Sequence, residues 1–169
     1  MASTATELYV AALVTAHALE QQAAQILQRQ LERLENYPGL EARIREHIAE
    51  SHTQQRRVGD LLQDLGTSNS AMKDFGHGLL SNITAMAHIP AKDEVLRNIL
   101  ANYAFEHYEI ATYRTLIAMA RAAGADAHIP VLQTCLDEEQ AMADWISDHL
   151  EDTSLTFIRR ETAGEVASR

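Results

Sequence analysis

Four rows of apolar residues at three- and four-residue steps run through this chain, and each is interrupted near its middle by a glutamate. The first row holds Leu8, Ala12, Leu13, Ala16, Leu19, Ala23, Ala24, Leu27, Leu31 and Leu34 around Glu20; the second holds Leu40, Ile44, Ile48, Val58, Leu61, Leu62 and Leu65 around Glu50. The third carries Val95, Ile99, Tyr113, Leu116, Ile117 and Ala120 around Glu109, and the fourth Leu132, Cys135, Leu136, Met142, Ala143, Ile146 and Leu150 around Glu139. Such spacing makes amphipathic helices, and four of them can bury their stripes only against one another. The chain is therefore read as an all-α four-helix bundle.

The breaks between rows fit that reading. Tyr37-Pro38-Gly39 separates the first two helices, expected over about 4–36 and 38–65, and makes them an antiparallel hairpin. Gly124 separates the other two, expected over about 92–123 and 130–151. Between them, residues 66–90 turn toward Gly, Ser and Asn. Met72, Phe75, Leu79, Ile83 and Met86 nevertheless keep helical spacing, which predicts a short additional helix in a crossover long enough to run the length of a bundle. With 169 residues and only three prolines, one domain over 1–151 is expected. Beyond Asp152 the apolar pattern persists only at Leu155, Phe157 and Ile158, so 152–169 reads as an extended tail with a disordered end.

The formal charge of −10, with arginines such as Arg43, Arg45, Arg56 and Arg57 interleaved among acids, argues against nucleic-acid or anionic-lipid partners. Neither a membrane-length apolar run nor a signal-peptide pattern is present, and a cytoplasmic protein is expected. The single Cys135 lies in an apolar row and reads as a packed core thiol. No Gly-rich phosphate loop and no Cys-x-x-Cys pair occurs.

The glutamates carry the chemistry. Glu20 and Glu50 lie thirty residues apart, as do Glu109 and Glu139. At roughly 1.5 Å per residue, all four are about 18 to 27 Å from their own helix turns, which permits one shared level. An inward carboxylate must be protonated or find a positive partner, because removing its water costs several kcal/mol. One such residue is satisfied by an arginine or a wet flank; four in four apolar rows point to a cation. Carboxylate clusters suit iron or manganese, one or two ions, and such a centre can act on oxygen or peroxide. Glu106 shares the face of Glu109 and offers a further oxygen, while His47 and His17, each one turn before a glutamate, offer nitrogen. Asn102, on the same face, needs hydrogen-bond partners, whether a glutamate or water at the core's edge. His52, His77, His88, His107, His128 and His149 read as surface or loop residues, and Tyr103, Tyr108, Tyr113 and Trp145 as packing or as hydrogen-bond partners of the acids.

Ala16-His-Ala-Leu-Glu20-Gln, His47-Ile-Ala-Glu50-Ser, Phe105-Glu-His-Tyr-Glu109-Ile-Ala-Thr-Tyr113 and Leu136-Asp-Glu-Glu139-Gln-Ala-Met-Ala-Asp-Trp145 resemble, in order, the ferritin-like superfamily. The likeness is closest to its YciE/YciF group of bacterial stress-response proteins. That resemblance implies a dimeric bundle, a role in stress tolerance, and a di-iron or di-manganese centre held by one glutamate on each of two helices and Glu-x-x-His on the other two. Glu20, Glu50, Glu109 and Glu139 match the carboxylate positions. The motif histidines would fall at 53 and 142, where this chain has Thr53 and Met142. Three functions are thus expected in order: a redox or metal-handling protein, a metal-free dimeric structural module, and an iron-storage protein.

Overall fold

The computed structural model describes residues 3–67 and 91–168. Among them are four long α-helices: α1 (Ala5–Leu31), α2 (Pro38–Asp64), α3 (Glu94–Ala122) and α4 (Ile129–Thr162), with one 3-10 turn at Asp126–His128. The expected crossover helix, with its row from Met72 to Met86, lies outside the described residues.

Local chemistry sets the helix ends. Thr4 caps α1 in a reciprocal box: its hydroxyl accepts from the Glu7 amide, and the Glu7 carboxylate accepts from the Thr4 amide. Pro38 occupies the first turn of α2, where an amide hydrogen would have no helical partner. Gly124 closes the α3 end with φ +71°, a backbone setting that a side chain would strain.

The helices run up-down-down-up. α1 and α3 are antiparallel neighbours, since Gln30 near the end of α1 meets Asn102 near the start of α3, and Glu20 meets Tyr113. α2 packs on α4, joined by Arg57 to Glu138. The end of α2 and the start of α3 therefore lie at opposite ends of the bundle, as a crossover connection requires. No helix among the described residues is long and apolar enough to cross a membrane.

Two apolar clusters fill the interior. One gathers Tyr9, Leu13, Val58, Leu62, Leu116, Leu132 and Cys135 toward the α3–α4 turn; the other gathers Leu27, Leu34, Ile44, Ile99, Met142 and Ile146 toward the α1–α2 turn. Cys135 is a buried free thiol, as its row implied.

The fourth helix corrects the expected tail. α4 does not stop near Glu151 but continues to Thr162, and Thr153 is buried within it. Gly164, at φ +74°, then reverses the chain, with the Glu165 amide donating to the Arg160 carbonyl and the Gly164 amide to the Glu161 carbonyl. The reversed segment lands on the α1–α2 turn: the Tyr37 hydroxyl donates to the Ala167 carbonyl at 2.6 Å, and Ala167 is buried.

Candidate metal centre

Between the two apolar clusters lies a band of buried polar side chains from all four helices: Glu20 of α1, His47, Ser51 and Gln54 of α2, Glu106 and Glu109 of α3, and Glu139 of α4. Their positions follow from helical rotation. On α2 the inward line is His47, Ser51, Gln54 and Val58, at three- and four-residue steps. On α3 the line is Ile99, Asn102, Glu106, Glu109 and Tyr113.

Four of these residues converge. One ligand atom from each of His47, Glu106, Glu109 and Glu139 lies within 4.8 Å of all the others. Ligands about 2.1 Å from a shared ion stand at most about 4.2 Å apart. The group is thus of the size of a coordination shell to within small side-chain rotations. Both carboxylate oxygens of Glu109 and of Glu139, together with Glu106 Oε2, Glu20 Oε2 and His47 Nε2, are buried without a hydrogen-bond partner among the described residues. The residues fit a hard or borderline divalent cation: buried oxygen donors in excess of their partners among the described residues, and one imidazole.

His47 links the cluster to the surface. Its Nδ1 lies 2.8 Å from Glu50 Oε2, while its Nε2 is 3.2 Å from Glu106 Oε2 and 3.7 Å from Glu139 Oε2, near enough for charge attraction but not aligned for a hydrogen bond. Burial opposes charging this ring, yet Glu106, Glu50 and Glu139 together outweigh it and hold its pKa well above the ordinary histidine value. The acids respond in the opposite sense to their desolvation. Burial, then the charges of Glu139, Glu20 and Glu106, push Glu109 well up; burial and the charges of Glu20 and Glu106 do the same to Glu139. Glu20 is pushed up to about 8, mainly by burial, against the opposing hydrogen bond from Tyr113, whose hydroxyl donates to Oε1 at 2.5 Å.

The structure brings together some of the residues expected as ligands and not others. Glu109 and Glu139 are central, and Glu106 and His47 join them. Glu20 sits beside the group, tied to Tyr113. Glu50 turns outward: its side chain is 25% exposed and accepts from Arg43 at 3.1 Å as well as from His47. Burial works against ionising Glu50, but His47 and Arg43 prevail and lower its pKa. His17 is not in the cluster; its ring lies against Gly59 of α2, where an added Cβ would sit 3.7 Å away. Thr53 faces away from the core and bonds the Ala49 carbonyl, and Met142 is buried among apolar side chains, so neither substitutes for a motif histidine.

Other sequence readings resolve as well. Asn102 bonds neither a glutamate nor an exposed edge; it exchanges two hydrogen bonds with Gln30, at 2.8 and 3.1 Å. His128 is buried rather than exposed, with its Nδ1 3.1 Å from the Tyr9 hydroxyl, and His149 stacks on Trp145. His77 and His88 lie outside the described residues. Gln54 was not singled out by its sequence, since a lone glutamine in an apolar row carries no motif; its step from His47 and Val58 was the available signal.

The same architecture recurs in solved structures. The protein XCC3681 from Xanthomonas campestris pv. campestris str. ATCC 33913 superposes with a TM-score of 0.79 at 31% identity, over 94% of this chain and 99% of that one. YcfI from Rhodopseudomonas palustris, suggested to be a structural protein, gives 0.69 at 28% identity, over 86% of this chain and 94% of that one. The E. coli stress protein YciF shares the fold, with a TM-score of 0.70 at 23% identity over 89% of this chain and 97% of that one. The resemblance read from the four helical segments is thus matched along nearly the whole chain. The chain belongs to the family described as Domain of unknown function (DUF892), whose model matches residues 4–159.

Proposed function

We propose that this protein binds iron or manganese in the middle of its bundle and serves stress tolerance as a redox or metal-handling protein. His47, Glu106, Glu109 and Glu139 would hold the ion, with Glu20 at its side. The observation that carries this reading is the set of buried carboxylate oxygens on Glu109 and Glu139 that nothing among the described residues satisfies.

Charge makes the argument quantitative. Four acids, Glu20, Glu106, Glu109 and Glu139, share one buried region with a single imidazole. Ionising them together without a counter-charge would cost several kcal/mol for each unpaired group. Protons remove that cost in the free protein, which is the sense of the raised pKa of Glu20, Glu109 and Glu139. A divalent cation removes it equally well and displaces the protons.

When bound, the ion supplies Lewis acidity and, if iron or manganese, one-electron chemistry toward oxygen or peroxide. The chain's own residues do the rest. Glu50 and Arg43 fix the His47 ring through Nδ1, leaving Nε2 aimed at the acids. Tyr113 holds Glu20 in one orientation. The apolar clusters above and below exclude bulk water.

Metal content per chain tests the reading, measured on untagged protein reloaded anaerobically with iron or manganese. Near-stoichiometric metal in the native chain, and its loss in Glu139→Gln, is the expected result. A native chain that takes up neither ion would move the reading to a metal-free structural module. That second reading is favoured by one feature, the absence of histidine at Thr53 and Met142. A homodimer is proposed under either reading, and light scattering checks it; a large closed shell would instead revive storage.

A further inference from the structure

Gln54 is fully buried, and neither its amide oxygen nor its amide nitrogen has a hydrogen-bond partner among the described residues. Leaving one such group unpaired costs on the order of 1–3 kcal/mol, and Gln54 leaves two. Native interiors tolerate this where a bound molecule supplies the missing partner.

Its place in the bundle shows where that molecule would be. On α2, Gln54 lies between His47 and Arg57. His47 Nε2 reaches Glu139 at 3.7 Å, and Arg57 Nη1 reaches Cys135 Sγ at 3.9 Å. Gln54 therefore faces the stretch of α4 between Cys135 and Glu139. Tyr113, which bonds Glu20 from across the core, shares one apolar cluster with Cys135. Seven residues separate Gln54 from His47, about 10 Å along the helix axis. His17 lies against Gly59 across the antiparallel α1–α2 pair, so Glu20, three residues nearer their turn, comes level with α2 about one turn before Gly59, which puts Gln54 on the Glu20 side of the cluster, away from His47.

The chemistry at this position is distinctive. The unsatisfied atoms of Glu20, Glu106, Glu109 and Glu139 are all carboxylate oxygens, which repel anions when ionised. Gln54 brings the group's uncharged N–H donors, two of them, together with a neutral acceptor. A small molecule that accepts hydrogen bonds, water or an anion of two or three atoms, would find its donor there.

We infer that Gln54 is the hydrogen-bonding contact for a small exchangeable ligand held beside the cation, on the Glu20 side of the cluster. It binds that ligand and not the metal. The inference rests on the cation reading above, and it assigns the ligand class of that site: small molecules with an acceptor atom.

The test uses the full chain loaded with Co(II), whose visible absorption reports changes in its ligands, and azide as the small anion. Native protein is compared with Gln54→Met, which keeps the length of the side chain without its polar atoms, and Gln54→Glu, which keeps the shape and replaces the donor by an acid. Both variants should hold the native amount of Co(II) per chain. Azide should bind about tenfold more weakly to Gln54→Met, the loss expected of one hydrogen bond, and more weakly still to Gln54→Glu. Equal azide affinity in all three proteins overturns the inference and leaves the cation site standing. Loss of Co(II) from Gln54→Met also overturns it, by making Gln54 a metal ligand or a structural residue. A native chain that takes no Co(II), iron or manganese removes the cation reading, and the inference with it.

Discussion

Two polar regions lie inside the same bundle, two helical turns apart along α3, and they are built on opposite terms. At Asn102 the amide exchanges both of its groups with Gln30, donor for acceptor and acceptor for donor, and nothing is left over. At Glu109 neither oxygen has a hydrogen-bond partner among the described residues, and the same holds for Glu139 on the facing helix. The first region is closed: it fixes the register of α1 against α3 and has no use for a third molecule. The second is open and stays costly until protons or a cation enter. A buried polar group is thus evidence of a site only when its partners are missing, and the difference is visible only at the level of individual atoms.

Breaking the closed pair gives the largest effect. Asn102→Ala should destabilise the fold by about 2–4 kcal/mol, since it opens a cavity and strands the Gln30 amide. The double change Gln30→Leu with Asn102→Leu should recover most of that loss in urea unfolding; failure to recover would mean that the pair does more than satisfy itself.

The open region should respond with the opposite sign. In metal-free protein, Glu139→Gln or Glu109→Gln should raise stability by about 1–2 kcal/mol, because a neutral amide is cheaper to bury than a carboxyl crowded by other acids. With iron or manganese added, the native chain should gain stability that the same variants do not, which calorimetry with and without metal would read. A metal-free variant less stable than native would show that these acids already have partners.

Proton linkage sharpens the contrast further. The pKa of Glu20 rises on folding from 4.5 to about 8, and those of Glu109, Glu139 and His47 also rise. A raised pKa means that the folded state holds protons the unfolded state has released. Its contribution is therefore complete below the unfolded pKa and is lost as pH climbs through the folded one. Metal-free protein should accordingly melt at a higher temperature at pH 5 than at pH 8, and Glu20→Gln should flatten part of that slope. Added cation should flatten or reverse it, because metal competes with protons more strongly as pH rises. Glu50, with its lowered pKa, works in the other direction and only as pH falls toward 4.5 and below.

The smallest effect is expected at that residue. Glu50→Gln should cost less than about 1 kcal/mol, the scale of a partly exposed pair, and should leave metal content closer to native than Glu139→Gln does. Equal metal loss in the two variants would place Glu50 among the ligands, against the geometry.

Much of this was legible in the sequence. The four apolar rows fixed the helices and their hairpins, and Glu109 and Glu139 stood inward because whole rows pointed with them. Helix periodicity resolves a face only to within about one residue's rotation, which is where α2 diverged. Glu50 and His47 are three residues apart, so a row can be drawn through either; only the packed structure shows that His47 faces inward and Glu50 flanks it beside Arg43. The α4 extension escaped for another reason. Residues 152–162 bury little, so the apolar pattern fades, while their helix-forming side chains and the Gly164 cap sustain the helix. The pairing of Asn102 with Gln30 joins residues 72 positions apart, and no local pattern encodes that.

The up-down-down-up arrangement has one more consequence, electrical in kind. Glu20, Glu109 and Glu139 sit well over two turns inside their helices, whereas the partial positive charge of a helix acts only near its first turn. Neighbouring antiparallel helices also oppose one another's fields. The backbone thus supplies no standing counter-charge at mid-bundle, and the electrical balance of the interior is left to His47 and to the protons that the buried acids take up.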